Sequence, residues 1–159
     1  MVTVLMVCSH AVQAAQEAKA QMRDANGTDV GTVTLKTTPH GTLLSAQLTG
    51  MPEGTHAFHV HAVGQCEPPF KSAGGHFNPT GKEHGILNPA GPHAGDMPNI
   101  HVPASGALDI EVLVTDLALD DALFDDDGAS IVIHQGADDY VTDPAGSAGP
   151  RIACGVIER

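Results

Sequence analysis

The sequence predicts an all-β protein, specifically an eight-stranded antiparallel Greek-key β-sandwich or flattened barrel with two long functional loops. From residue 17 onward, short segments of alternating apolar and polar residues follow one another, and turn signals separate them. No segment has a helical pattern of useful length, and the 18 glycines and 11 prolines are scattered without a period. A chain of 159 residues is the size of one domain. We therefore expect one domain at 17–159, after a signal-like or disordered segment at 1–16.

The expected strands follow from the alternation and from the turns between them. They are 18–24, 30–37, 42–49, 55–62, 99–102, 108–115, 130–134 and 152–157. Asn26-Gly27 is a strong hairpin signal between the first two. Residues 63–98 and 135–150 contain no expected strand or helix. Loops this long in a compact domain are usually functional, so we expect the chemistry of the protein there.

Composition excludes two classes of partner. The formal net charge is −12, with only seven lysines and arginines. Nucleic acids and anionic membranes are bound through basic patches, so neither partner is expected. No segment reaches the roughly 18 consecutive apolar residues that indicate a membrane span.

The cysteines and the N-terminal residues bear on the cellular compartment. Cys66 and Cys154 lie far apart within the expected domain, which suits either one structural disulfide in an oxidising compartment or two buried thiols. Residues 1–14 are similar to the end of a secretory signal. Cys8 resembles a lipidation site, but the valine before it fits poorly, so a lipid anchor is not expected. These features predict a periplasmic or secreted protein.

Potential metal ligands are concentrated in the first long loop and next to it. The candidates are His59, His61, His76, His84, His93, Asp96 and His134. A lone His-x-His pair is often only a surface feature, but the loop adds four further potential ligands among glycines. Three histidines with one carboxylate suit Zn²⁺, and thiolate-free histidine ligation suits Cu²⁺. Two four-coordinate sites need eight positions, so seven residues require one shared ligand, and only an imidazolate bridges through two nitrogens.

The motifs around these residues resemble, in order and spacing, those of the copper–zinc superoxide dismutase family, in its bacterial secreted form. They are H-V-H (59–61), G-G-H-F-N-P (74–79), K-E-H-G (82–85), H-A-G-D (93–96), V-I-H-Q-G-A-D-D (132–139) and G-P-R-I-A-C-G-V-I (149–157). The resemblance extends from about residue 17 to the C-terminus.

The resemblance implies a role for each matched residue. The implied copper ligands are His59, His61, His76 and His134. The implied zinc ligands are His76, His84, His93 and Asp96, with His76 as the bridge. It also implies a Cys66–Cys154 disulfide, a carboxylate at Asp138 that supports one ligand of each metal, and an arginine at Arg151 in the substrate cavity.

The activity implied is dismutation of superoxide to oxygen and hydrogen peroxide, in which His76 delivers a proton and Arg151 docks the anion. The loop at 135–150 contains no lysine or arginine, unlike longer family versions that carry charges there. The alternative is a non-catalytic copper- or zinc-binding dismutase-like protein. A zinc hydrolase is disfavoured because no implied zinc position is open. A homodimer is the expected assembly if the protein associates.

Histidines outside the matched motifs are expected to be exposed or to cap turns. They are His10, His40, His56 and His101.

Overall fold

The computed structural model describes residues 16–159. Most of the expected signal-like segment, including Cys8 and His10, lies outside the described residues. Nine strands occur within 16–159. They are β1 (Glu17–Asp24), β2 (Asp29–Thr38), β3 (Gly41–Leu48), β4 (Gly54–His56), β5 (Phe58–His61), β6 (Ile100–Val102), β7 (Leu108–Val114), β8 (Ser130–His134) and β9 (Arg151–Glu158).

Seven of the strands form one curled antiparallel sheet in the order β5-β8-β9-β1-β2-β3-β7, and β4 pairs with β6 separately. The connection that follows β3 leads from one side of the large sheet to β5 at its opposite edge, and the chain later returns to β7. The sheet is an open half-barrel whose edges are β5 and β7. The predicted all-β antiparallel fold class is confirmed.

Alternation along the strands builds the core. In β2, Val33 and Leu35 are fully buried, whereas Thr34 between them is exposed. Leu44 and Ala46 repeat the pattern in β3 and pair with Leu35 and Val33 across the ladder. Because side chains alternate between the two faces of a strand, this register places one apolar row inside the half-barrel. β8 is buried along its whole length, as its apolar sequence predicts.

One expected strand is divided in two, which raises the strand count from eight to nine. The segment predicted at 55–62 breaks at Ala57, and its two parts pair with different partners. The Ala57 N–H donates to the carbonyl of Gly136 at 2.8 Å, and the His134 N–H donates to the carbonyl of Ala57 at 2.9 Å. The second long loop therefore contacts the chain at the division.

The first long loop, 63–98, is nearly free of regular structure, as expected, and contains a single 3-10 turn at Lys71–Ala73. Two isolated antiparallel bridges attach it to β5, one between His61 and His76 and one between His59 and Asp96. A disulfide joins Cys66 in this loop to Cys154 in β9, with 5.6 Å between the Cα atoms. The predicted disulfide is confirmed. Within 16–159, no helix has the length and apolar character needed to cross a membrane.

Candidate metal centre

Two clusters of buried ligand side chains meet at the edge of the sheet, and within each cluster the ligand atoms lie within 4.8 Å of one another. The four-histidine group consists of His59, His61, His76 and His134. The histidine–aspartate group consists of His76, His84, His93 and Asp96. His76 belongs to both. The fold therefore assembles all seven residues that the sequence selected as ligands, and the ligand shared by both clusters is His76.

The sheet register positions the four-histidine group. His59 and His61 are two residues apart on β5, so both side chains point to the same face. β5 pairs with β8, which ends at His134. The bridge between His61 and His76 brings the loop residue alongside. The His59 and His76 ring centroids are 4.1 Å apart.

Hydrogen bonds fix which ring nitrogens of the four-histidine group are free. His61 Nδ1 lies 3.0 Å from the carbonyl oxygen of Gly74, and His134 Nδ1 lies 3.1 Å from that of Gly149. Carbonyls only accept, so each Nδ1 carries the proton and each Nε2 is a lone-pair acceptor in the neutral ring. These two Nε2 atoms are 3.4 Å apart. Two facing lone pairs favour a cation between them.

The histidine–aspartate group is built almost entirely from contacts to Asp96. His76 Nδ1 is 2.7 Å from Asp96 Oδ1, and His93 Nδ1 is 3.3 Å from the same oxygen. Asp96 Oδ2 accepts the backbone N–H groups of Gly85 at 2.9 Å and His93 at 3.0 Å. These backbone contacts hold the carboxylate in place from the loop itself. His84 Nδ1 is 3.1 Å from Asp96 Oδ2 but has no hydrogen-bond partner.

Three buried ring nitrogens in the described chain have no hydrogen-bond partner, and all three belong to these groups: His59 Nδ1, His76 Nε2 and His84 Nδ1. An unpaired polar atom inside a protein costs about 1–3 kcal/mol, so three in one place indicate missing partners. Bound cations supply them, because neutral imidazole nitrogen is a good ligand for Cu²⁺ and Zn²⁺. The donor set fits both metals.

Asp138 connects the two groups from the second long loop. Its Oδ2 accepts from His59 Nε2 at 2.8 Å, and its Oδ1 accepts from His84 Nε2 at 3.0 Å. Each ring thereby turns its Nδ1 inward as the free atom. Such a carboxylate partner fixes the tautomer and orientation of a ligand ring. The position predicted for Asp138 from the sequence is consistent with this arrangement.

Burial favours the neutral form of three of the rings. It lowers the pKa of His61 from 6.5 to about 2, with help from the neighbouring His76 and Arg151. Burial likewise lowers the pKa of His76 and of His134 to about 4. Neutral rings are the form that binds a metal, so these ligands need no deprotonation at neutral pH.

The two carboxylates are ionised. Burial by itself raises the pKa of Asp138, but hydrogen bonds from His59, His84 and the Tyr140 N–H outweigh it and bring the pKa to about 2. Burial also opposes ionisation of Asp96, but the His76 ring and the Gly85 N–H hold the pKa of that carboxyl well below its usual range. Both groups therefore provide negative charge to the centre.

Arg151 begins β9 directly opposite His134 in the β8–β9 pair. Two of its guanidinium nitrogens donate at 2.6 Å, one to the Phe70 carbonyl and one to the Gly74 carbonyl. Burial lowers the pKa of Arg151, but an arginine remains protonated at any physiological pH. The Gly74 carbonyl thus accepts from both Arg151 and His61, which places a fixed positive charge next to the four-histidine group.

His56 was predicted to be exposed or to cap a turn; it is not exposed, whereas its contact with the Pro52 carbonyl just before β4 is of the capping kind. It is only 3% exposed, with Nδ1 and Nε2 each 3.0 Å from a carbonyl oxygen, of His134 and Pro52 respectively. Its position at the strand division at Ala57 turns it inward. His40 and His101 are exposed, as predicted.

Three residues that support the centre were not identified from the sequence. Gly146 has a φ of +62°, and a Cβ there would collide with the Asp138 carboxylate, so the close approach requires glycine. The Asn99 side chain donates to the Asp138 carbonyl, and the Tyr140 hydroxyl accepts from the Asn99 N–H. The G-S-A-G run at 146–149 was the sequence signal available for Gly146. No sequence pattern points to the other two.

Comparison with known proteins identifies the family. The profile of the copper/zinc superoxide dismutase (SODC) family matches residues 30–157. Superoxide dismutase [Cu-Zn] 2 of Aquifex aeolicus is 48% identical over 147 residues, which cover 89% of this chain and 86% of that protein. This chain belongs to the copper/zinc superoxide dismutase family, as its motifs predicted.

Solved structures match the fold. A SOD-like protein from Bacillus subtilis is 38% identical with a TM-score of 0.83, covering 87% of this chain and 96% of that one. The Cu/Zn superoxide dismutase from Brucella abortus is 31% identical with a TM-score of 0.75, covering 90% of this chain and all of that one.

Proposed function

We propose that this protein dismutates superoxide to oxygen and hydrogen peroxide, with copper in the four-histidine group and zinc in the histidine–aspartate group. The observation that carries the proposal is the geometry of His76. Its Nδ1 faces Asp96 in the second group, and its Nε2 is buried without a partner. One ring therefore offers a nitrogen to each of two cations. Seven ligands in two four-coordinate sites require one such shared ligand.

The metals divide the work. Bound copper supplies the one-electron chemistry by alternating between Cu²⁺ and Cu⁺, whereas Zn²⁺ has no redox chemistry and has a structural role. The donor sets fit this division, because the first group is entirely nitrogen and the second contains a carboxylate that the loop backbone holds in place. His59 and His61 present the redox metal from a rigid strand.

The side chains of the centre handle the anion and the proton. Arg151 docks superoxide through the guanidinium N–H groups not used by the two carbonyls, because a guanidinium is a permanently charged and weakly hydrated donor. His76 would hold at Nε2, when that nitrogen is free, one of the two protons that hydrogen peroxide requires and give it to the departing peroxide, and the second proton would come from solvent. Asp138 keeps His59 and His84 in the tautomer with a free Nδ1.

Positive charge at the centre must attract superoxide against the negative net charge of the protein. The protein carries −12 overall, and the loop at 135–150 adds no lysine or arginine. A concave site can focus a positive field that opposes the net charge of the molecule. Arg151 and the two cations are the sources of positive charge at the centre, so we assign the attraction of superoxide to them.

The second candidate is a metal-binding dismutase-like protein without turnover. The backbone is closer to the SOD-like protein of Bacillus subtilis than to the Brucella abortus dismutase, with TM-scores of 0.83 and 0.75. Against this candidate, both ligand groups are complete and the arginine is present. Turnover is therefore the better-supported function.

We also propose that the protein works in the periplasm or outside the cell, without a lipid anchor, as a homodimer if it associates. The Cys66–Cys154 disulfide and the bacterial relatives support an oxidising compartment. Residues 1–16 act in this proposal as a signal-like segment before the domain at 17–159. Fractionation of cells and the mass of the purified chain test the location and the cleavage.

The direct test combines metal content with activity. Protein matured in an oxidising compartment is expected to hold one copper and one zinc per chain and to accelerate superoxide decay. His61→Ala should lose copper and activity together, whereas the exposed His101→Ala should keep both. Full copper and zinc occupancy with no acceleration would favour the non-catalytic candidate instead.

A further inference from the structure

The Asn99 side chain hydrogen-bonds to both the backbone N–H and the backbone carbonyl of Asp138. The Asn99 Nδ2–H donates to the Asp138 carbonyl at 2.9 Å, and the Asp138 N–H donates to Asn99 Oδ1 at 2.8 Å. One amide side chain thus fixes the position of the residue whose carboxylate links the two ligand groups. Asn99 lies immediately before β6, on a different segment from Asp138.

Tyr140 hydrogen-bonds to both Asn99 and Asp138. Its hydroxyl accepts the Asn99 N–H at 2.7 Å, and its own N–H donates to Asp138 Oδ1 at 2.6 Å. Its carbonyl accepts the Leu87 N–H at 3.1 Å from the ligand loop. We call Asn99 and Tyr140 together the Asp138 clamp.

The backbone of Tyr140 is itself unusual, since φ is +65° in a residue other than glycine. L-residues with side chains adopt this region rarely, and mostly where surrounding contacts impose it at functional sites. Here the imposed conformation points the Tyr140 N–H at Asp138 Oδ1 while the hydroxyl reaches Asn99. The strained backbone and the hydrogen bonds are separate observations, and both concern Asp138.

We propose that Asn99 and Tyr140 are positioning residues that set the zinc affinity of the histidine–aspartate group through Asp138. The proposal rests on the proposed function, because it takes that group as the zinc site. Asp138 Oδ1 is the oxygen that receives the Tyr140 N–H and also the one that holds His84. A shift of the clamp therefore moves His84 most directly, and His84 Nδ1 is one of the unpaired nitrogens.

The test measures zinc competition against a chromophoric chelator, and zinc release from the metallated protein, on the full oxidised chain. Asp138→Asn should weaken zinc binding by about 10–100-fold, the usual range for a direct partner of a ligand. Asn99→Ala is expected near the lower end of that range, about 10-fold. Tyr140→Phe, which loses only the hydroxyl, should weaken binding by about 3–5-fold, below that range because it acts one contact further out.

A control separates positioning from general stability. Thr42→Val also deletes a hydroxyl hydrogen bond, which Thr42 makes at 2.8 Å to the Leu117 carbonyl away from the centre. It should lower the unfolding temperature while leaving zinc affinity unchanged. The Co²⁺-substituted protein provides a further readout, because its visible bands report ligand geometry. Those bands should shift in Tyr140→Phe and not in Thr42→Val.

A double-mutant comparison tests whether the Asp138 clamp acts through Asp138. In an Asp138→Asn background, Tyr140→Phe should produce little further loss of zinc affinity. The same fold-loss in both backgrounds, or wild-type affinity and bands in Tyr140→Phe, would overturn the proposal. If His84→Ala also kept wild-type zinc affinity, the zinc assignment itself would be wrong, which is a separate result from failure of the clamp.

Discussion

The two ligand groups share His76 but are built in different ways. Three members of the four-histidine group lie on β5 and β8, and the residues span positions 59 to 134. All members of the histidine–aspartate group lie between positions 76 and 96 in one loop with almost no regular structure. Sheet register places most of the first group, whereas the second depends on contacts to Asp96, and Asp138 supports one ring of each. The first group should therefore keep its shape without metal better than the second.

Deletion of a strand ligand gives the largest expected effect and separates the two groups. His134→Ala removes one of the proposed copper ligands and leaves every residue of the histidine–aspartate group in place. We expect dismutation to fall by more than about 100-fold, beyond the loss typical of residues that only support a ligand, while zinc remains bound. Metal analysis and superoxide decay measure both.

His101→Ala, an exposed histidine on β6, serves as the matched control for the His134 variant. Retained activity in copper-reconstituted His134→Ala would contradict the copper assignment. Loss of zinc along with copper would contradict the independence of the two groups.

Opening the disulfide tests the dependence of the loop on its covalent attachment. Cys66 is the half-buried partner, so Cys66→Ser removes the link with little loss of packing. We expect the free energy of unfolding of the metal-free protein to fall by about 2–5 kcal/mol. Hydrogen exchange should accelerate at 63–98 more than in β2 and β3.

Reductant applied to the wild-type protein should reproduce the Cys66→Ser effect and should not destabilise the variant further. Equal unfolding midpoints with and without reductant in the wild type would show that the bond contributes nothing.

The same contrast explains how much the sequence could predict. The strands were predictable because alternation in β2 and β3 reflects burial on one face. The ligands were predictable because their motifs are local, even for His134. The division at Ala57 and the burial of His56 were not predictable, since both depend on contacts with residues near 134–136. Asn99 and Tyr140 were missed for the same reason, since their function depends on a contact about 40 residues away.

Arg151 variants test the docking charge next to the four-histidine group. We expect kcat/KM to fall by about 10-fold in Arg151→Ile and about 100-fold in Arg151→Glu, because focused fields change association rates by 10–10³-fold. The difference between the variants should shrink at high salt. Arg23→Glu makes the same change in net charge at an exposed position on β1 and should have little effect. Equal rates for all four proteins would disprove the docking role.

Acidification is expected to lower the stability of the metal-free protein gradually, and it tests how the buried histidines contribute to that stability. Burial lowers the pKa of His76 and His134 to about 4 in the folded protein, against 6.5 for an unperturbed histidine. The unfolded chain therefore takes up protons that the folded chain refuses between those values, so stability falls as pH drops from about 6.5 to about 4. The low pKa of His61 extends the fall in stability toward pH 2, and Asp138, with a lowered pKa of about 2, adds a loss of stability below pH 3.8.

Urea unfolding of the metal-free protein across this range measures how steeply stability depends on pH, and His134→Ala should reduce that dependence between pH 6.5 and 4. A slope that the variant leaves unchanged would mean that the protonation of His134 does not contribute, and that the four-histidine group is less rigidly buried than its register indicates.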